Sequence, residues 1–206
     1  MKKVAIVGGT GYTGVELLRL LARHPSIEVC AITSRSEAGK AVAEVYPSLR
    51  GEYDLAFTEP ATETLAQADL VFFATPNGVA MKQVPDLLAA GAKVIDLAAD
   101  FRLNKASDYL KWYKQKHRSV KNIKKSIYSL PEINGNKVKK FNIIGCPGCY
   151  PTSILLPLIP LVKKNLIKTD NVIIDSKSGY SGAGRGVHNK YKDKNLYESM
   201  SAYGVG

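Results

Sequence analysis

Apolar positions along the first 150 residues fall into two rhythms. Short, mostly apolar runs occupy residues 4–7, 27–33, 70–74, 93–97 and 142–145. Runs of that length read as strands buried on both faces, as in a parallel sheet. Between them lie stretches of helical spacing. Residues 13–23 show the apolar spacing of an amphipathic helix at Val15, Leu17, Leu18, Leu20 and Leu21, and Pro25 closes the helix. Residues 79–90 form a second helix, with Gly91 as its C-terminal cap. Strands alternating with helices predict an α/β fold, a Rossmann-type doubly wound parallel sheet. Beyond Gly145 the texture changes. A helix is expected to start near Pro151, a strand over 172–175, and then a glycine-serine loop over 178–186. The boundary therefore falls near residue 146, giving a first domain over 1–146 and a partial α+β domain over 147–206.

The first strand runs straight into Val7-Gly8-Gly9-Thr10-Gly11-Tyr12-Thr13-Gly14. Gly9, Gly11 and Gly14 satisfy G-x-G-x-x-G, and Gly8, Gly11 and Gly14 satisfy G-x-x-G-x-x-G. Glycine is needed for the sharp turn, for close approach to a pyrophosphate and for helix-on-strand packing. The helix that follows offers free N–H groups to phosphate. A strand before and a helix after supply the context such a motif requires. Gly8, Thr10, Gly11, Tyr12, Thr13 and Gly14 are thus the candidate dinucleotide ligands. The second strand ends in Thr33-Ser34-Arg35-Ser36, with no acid at its tip to hold a ribose 2′-hydroxyl. Ser34 and Arg35 suit a 2′-phosphate instead, so NADP is expected over NAD.

Cys149 lies in Gly148-Cys149-Tyr150-Pro151-Thr152, just ahead of the expected helix. A helix N-terminus favours the thiolate, which can attack an activated acyl carbon. Two plainer readings compete: a buried small hydrophobe, and a redox pair with Cys146. A single C-x-x-C cannot supply the four ligands of a structural zinc site, so no metal is expected.

Net charge is +11, and it is concentrated. Residues 105–140 hold eleven Lys or Arg against Asp108 and Glu132, a balance of +9. The expected reading is a solvated, lysine-rich surface insertion, with no recognisable nucleic-acid module. The longest apolar stretch, 154–162, is nine residues with two prolines, far short of the roughly 20 a membrane span needs. The N-terminal apolar run is too short for a signal peptide. A cytoplasmic protein without membrane or nucleic-acid partners is expected.

Taken together, several segments resemble the N-acetyl-γ-glutamyl-phosphate reductases of arginine biosynthesis. They are the glycine turn over 8–14, Asp96-Leu97-Ala98-Ala99-Asp100-Phe101-Arg102, Leu130-Pro131-Glu132-Ile133-Asn134, Pro147-Gly148-Cys149-Tyr150-Pro151-Thr152, Lys177-Ser178-Gly179-Tyr180-Ser181-Gly182-Ala183-Gly184-Arg185 and Ala202-Tyr203-Gly204-Val205. The resemblance implies a second domain of the aspartate-semialdehyde-dehydrogenase type, Cys149 as covalent nucleophile toward an acyl phosphate, and NADPH as reductant. It also implies cofactor contacts from Ser181 and Gly182, substrate contacts from Arg102, Glu132 and Arg185, and a homo-oligomer. The 178–186 loop is expected against Cys149, with Arg185 completing an anion site. Family members usually have another residue at Cys146, and often histidine at Asn77. They also carry a two-histidine motif soon after the A-Y-G-V stretch, whereas this sequence stops at Gly206. His24, His117 and His188 match neither position of that motif. The second domain therefore reads as incomplete and turnover by these 206 residues as poor. The competing readings are a catalytically impaired NADP-binding fragment and the related aminoadipate-phosphate reductase of lysine synthesis.

Overall fold

Six strands carry the apolar runs, and all of them run parallel. In the computed structural model, which describes residues 1–186 and 199–202, they are β1 (Lys2–Val7), β2 (Ile27–Thr33), β3 (Leu70–Phe73), β4 (Lys93–Asp96), β5 (Ser126–Tyr128) and β6 (Ile143–Gly145). Eight α-helices accompany them among the described residues: α1 (Tyr12–Leu21), α2 (Val42–Val45), α3 (Thr62–Leu65), α4 (Ala80–Ala89), α5 (Ala106–Tyr113), α6 (Val120–Ile123), α7 (Pro131–Val138) and α8 (Cys149–Lys163). The strands lie in the order β2-β1-β3-β4-β6-β5.

Alternation along each strand divides the core between the two faces of the sheet. Val4 and Ile6 of β1 join Leu18 and Leu21 of α1, Ile32, Tyr46 and Phe57 on one face. Ala5 and Val7 join Phe73, Met81, Val84 and Leu87 of α4, Phe101 and Tyr109 on the other. With both faces covered, the strands carry apolar residues on both sides, which is why they appear as nearly continuous runs. The predicted end of α4 is also present. Ala92 N donates to Leu87 O (3.0 Å) and Gly91 N to Leu88 O (3.1 Å), a Schellman closure around Gly91 at φ +89.

The chain leaves β1 for β2 on one side and returns as β3 on the other. That reversal opens a crevice at the carboxyl ends of β1 and β3, the place where such sheets bind ligands. The loops after β1, β3, β4 and β6 all emerge on this one rim. Three strand spacings, about 14 Å, separate β1 from β6 along it.

Three expectations need correcting. The lysine-rich segment is not an insertion on a finished domain. Its lysines are exposed, but it supplies β5, the sixth strand, and buries Tyr109, His117 and Ile123. The helix expected near Pro151 begins at Cys149. Its first-turn N–H groups have no intrahelical acceptor, so a proline at the third position removes no bond. The strand expected over 172–175 is absent. Those residues have no regular structure, with Ile173 94% exposed, because no strand of the described residues accepts them into a ladder. No helix among the described residues is long and apolar enough to cross a membrane.

Candidate active site

Each glycine of the turn has a separate task. Gly8 sits at φ +86, where a side chain would be strained and its Cβ would strike the carbonyl of Ala74. A Cβ on Gly9 would run into Ile32 and Phe57, and one on Gly14 would lie 2.6 Å from Gly8 O and Gly9 Cα. These contacts press α1 against β1. Gly11 differs, since its nearest neighbour, Gly8 O, is 3.7 Å away. The space beside Gly11 is therefore open. Gly8 N and Gly9 N both donate to Thr33 O (3.2 and 3.0 Å), fixing the turn to the end of β2. Gly11 is the N-cap of α1 and provides no side-chain cap. The first-turn N–H groups at Tyr12, Thr13 and Gly14 thus face the crevice, as an anion site requires.

A chain of hydroxyls borders the turn. Thr10 Oγ1 lies 3.2 Å from Ser34 Oγ, which lies 3.2 Å from Ser36 Oγ and accepts from Glu37 N (3.3 Å). Arg35 is exposed beside them, and no salt bridge among the described residues engages it. The nearby carboxylate of Glu37 is held by Lys40 at 2.8 Å. Tyr46 was not marked by any sequence motif. It is buried against Phe57 and donates from its hydroxyl to Gly9 O (3.2 Å), so it supports the turn from below.

At the other end of the rim, Cys149 is exposed and is the first residue of α8. Thr152 closes the first turn, with both its N–H (3.0 Å) and its hydroxyl (2.9 Å) donating to Gly148 O. Arg102 holds the approach to Cys149. Its Nε donates to Cys146 O (2.7 Å) and its Nη2 to Leu97 O (2.9 Å), tying the loop after β4 to the loop after β6. Its Nη1 is left beside Gly148, 3.4 Å from where a Cβ would stand. Cys146 is half-buried, with its N–H on Asp96 O (2.8 Å). Burial, and the neighbouring Asp96, push its thiol up to about 11.

Beneath this rim lie two buried carboxylates. Asp100 accepts from Gly78 N (2.7 Å), Met81 N (3.0 Å) and the Tyr109 hydroxyl (2.9 Å), anchoring the start of α4. Asp96 accepts from Ala98 N (3.0 Å) and Phe101 N (3.3 Å), and burial, then Asp100, raise its carboxyl to about 7. The folded protein therefore keeps a proton on Asp96 between about pH 4 and 7, where the unfolded chain has lost it. Stability should accordingly fall as pH rises through that window, by at most about 4 kcal/mol. Asp96→Asn should flatten this part of the profile, read as urea midpoints at pH 4.5, 6 and 7.5; a variant as pH-dependent as the parent would exclude Asp96 as the cause.

The remaining candidates are spread out. Glu132 stays exposed in the first turn of α7, which lies against α8, but no bond among the described residues ties it to the cysteine loop. His117 is buried. Its Nδ1 accepts from Ser119 N (3.0 Å), so its Nε2 donates to Asp100 O (2.8 Å) and neither nitrogen is left for chemistry. Asn77 Oδ1 accepts from Ala99 N (3.1 Å). Ser181 and Gly182 lie in a single 3₁₀ turn, Tyr180–Ala183. Arg185 was expected at Cys149, but its guanidinium stands over the rings of Tyr12 and Tyr46, at the β1 end of the rim. Planar aromatic faces at the glycine turn hold it there more directly than anything at α8. His188 and Tyr203, Gly204 and Val205 lie outside the described residues. Two hollows of about 330 and 370 Å³ touch neither the glycine turn nor Cys149, so neither is the crevice in question.

Fold and rim together define a dinucleotide-binding α/β protein with an exposed cysteine at the head of a helix. The chain belongs to the semialdehyde dehydrogenase family: residues 3–141 match its NAD-binding domain and residues 149–206 its dimerisation domain. It is 52% identical over 207 residues to the N-acetyl-gamma-glutamyl-phosphate reductase of Saccharophagus degradans, and 55% identical over 208 residues to that of Pseudomonas fluorescens. Each match covers 100% of this chain but only 59% and 60% of the relative, so the chain spans about three-fifths of their length. Among solved structures, aspartate semialdehyde dehydrogenase II of Vibrio cholerae shares the fold at a TM-score of 0.65 and 22% identity, over 94% of this chain and 51% of that one.

Proposed function

We propose that this chain carries the dinucleotide site and the nucleophile of an NADPH-dependent N-acetyl-γ-glutamyl-phosphate reductase. The observation that carries the reading is the placement of an exposed Cys149 and an uncapped, glycine-lined helix N-terminus on the same rim of one parallel sheet. The names of the relatives above support the choice of substrate.

The cradle suits a nicotinamide dinucleotide: only glycine fits at positions 8, 9 and 14, while open space remains at Gly11. Gly8, Gly11, Gly14 and the N–H groups of Tyr12 and Thr13 would hold its pyrophosphate. Thr10, Ser34 and Arg35 would hold a 2′-phosphate, which their hydroxyls and positive charge favour. Ser181 and Gly182 are assigned to the same cofactor. When bound, the reduced dinucleotide supplies a hydride.

Cys149 Sγ attacks the acyl carbon of the acyl phosphate. A carbon–sulfur bond forms, the carbon–oxygen bond to phosphate breaks, and inorganic phosphate leaves. The thioester so formed fixes the acyl group at α8. The positive end of the α8 dipole favours negative charge on the departing phosphate and the acyl oxygen. Arg102 keeps the cysteine loop in place through its two backbone bonds, and its Nη1 faces the same space. Glu132 is kept as a substrate contact reached from α7. Hydride supplied by a bound dinucleotide would convert the thioester to the semialdehyde, with Cys149 Sγ leaving as the thiolate.

Residues 1–146 serve as the NADP-binding domain and 147–206 as part of the catalytic and subunit-contacting domain, in a cytoplasmic homo-oligomer. The test is oxidation of NADPH on addition of N-acetyl-γ-glutamyl phosphate, with the acylated Cys149 peptide found by mass spectrometry when NADPH is withheld. Acylation elsewhere, or none, would remove Cys149 as nucleophile.

A further inference from the structure

We infer that Arg185 is a phosphate ligand of the dinucleotide site, presented to the glycine turn on the rings of Tyr12 and Tyr46. This rests on the reading that the turn binds a nicotinamide dinucleotide.

The guanidinium carbon lies 5.7 Å from the Tyr12 ring centroid and 5.4 Å from that of Tyr46, both within cation–π range. One ring belongs to the turn and the other is bonded to it. Tyr12 is the first residue of α1, and Tyr46 is buried with its hydroxyl on Gly9 O at 3.2 Å. The platform therefore cannot drift away from the phosphate cradle. Delivery of the arginine depends on Gly184, whose φ of +81 and ψ of 175 suit glycine alone. That residue turns the chain just ahead of Arg185.

Aromatic faces engage the plane of a guanidinium and leave its five N–H donors at the edge. Among the described residues, no hydrogen bond or salt bridge uses those donors. What remains is a planar fork of donors and a full positive charge beside an uncapped helix N-terminus. Phosphate fits both, since it accepts bidentate bonds from arginine and is stabilised at helix N-termini. A substrate role at Cys149 fits less well, because the β1 and β6 ends of the rim are about 14 Å apart.

The experiment is titration of this chain with NADPH and, separately, NADH, followed by quenching of intrinsic fluorescence. Arg185 is exposed, so Arg185→Ala should leave the thermal melt unchanged. Its affinity for NADPH should fall about 10- to 100-fold, the worth of a charged bidentate contact. A fall confined to NADPH places the guanidinium on the 2′-phosphate; an equal fall for NADH places it on the pyrophosphate. Arg185→Lys keeps the charge without the fork and should recover part of the loss. Tyr12→Leu keeps the arginine but removes one face, and should weaken NADPH about threefold or more. Affinities within twofold of the parent for both cofactors in Arg185→Ala would overturn the inference. A parent chain that binds neither cofactor would instead overturn the dinucleotide reading beneath it.

Discussion

Cys149→Ser should lower acyl-phosphate-dependent NADPH oxidation by about 10⁴-fold or more, and leave NADPH affinity within about twofold. A serine hydroxyl at the head of α8 is a far weaker nucleophile than a thiolate; His117 has both ring nitrogens committed, and His24 lies between α1 and β2, at the edge of the sheet opposite the cysteine loop. Cys146 cannot take over. With its thiol pushed up to about 11, only on the order of one part in a thousand is thiolate at pH 8. Its backbone is also committed to both Asp96 and Arg102. Brief iodoacetamide treatment at pH 8 should accordingly modify Cys149 before Cys146 or Cys30, whose thiol burial also raises. Retained turnover in Cys149→Ser, or first labelling of Cys146, would move the chemistry to the other cysteine.

Gly14→Ala should destabilise the fold by about 3 kcal/mol or more, a drop of roughly 10 °C in melting temperature for a chain of this size. The new methyl would lie 2.6 Å from Gly8 O and Gly9 Cα, both backbone atoms that Thr33 already holds in place. Neither can retreat without lifting α1 off β1. Gly11→Ala is the contrast. Its methyl meets nothing closer than 3.7 Å, so the melt should shift little while NADPH affinity falls. Equal melting temperatures for the two variants would mean that helix-on-strand packing does not depend on Gly14.

The first half of the fold was readable because its rhythm is simple. Strands buried on both faces leave nearly continuous apolar runs, and the bounds read for β2 match the observed Ile27–Thr33. Residues 105–140 were harder. Their buried positions, such as Tyr109, His117 and Ile123, are widely spaced among lysines, and β5 is only three residues long. Too few apolar repeats remain there to reveal a helix or strand. The run at 172–175 failed in the opposite way: its β-branched residues suit a strand, but a strand exists only with a partner. At the site, the glycine turn and Cys149 announced themselves through fixed local spacing. Tyr46 and the placement of Arg185 did not. Their meeting at Gly9 and Tyr12 joins residues far apart in sequence, and no local pattern encodes that.

Among the described residues no strand pairs with the outer side of β5, and this has a bearing on how this protein behaves at high concentration. An unpaired strand edge is a template on which a second molecule can add a strand, the first step toward aggregation. Here the edge offers only Ser126, Ile127 and Tyr128, too short a ladder to hold a foreign strand well. Lys124 and Lys125 stand immediately before it, within a segment, 105–140, whose net charge is +9. An identical copy approaching edge to edge would meet the same charge. The lysine-rich segment thus both completes the sheet and guards the sheet's open border against its own kind.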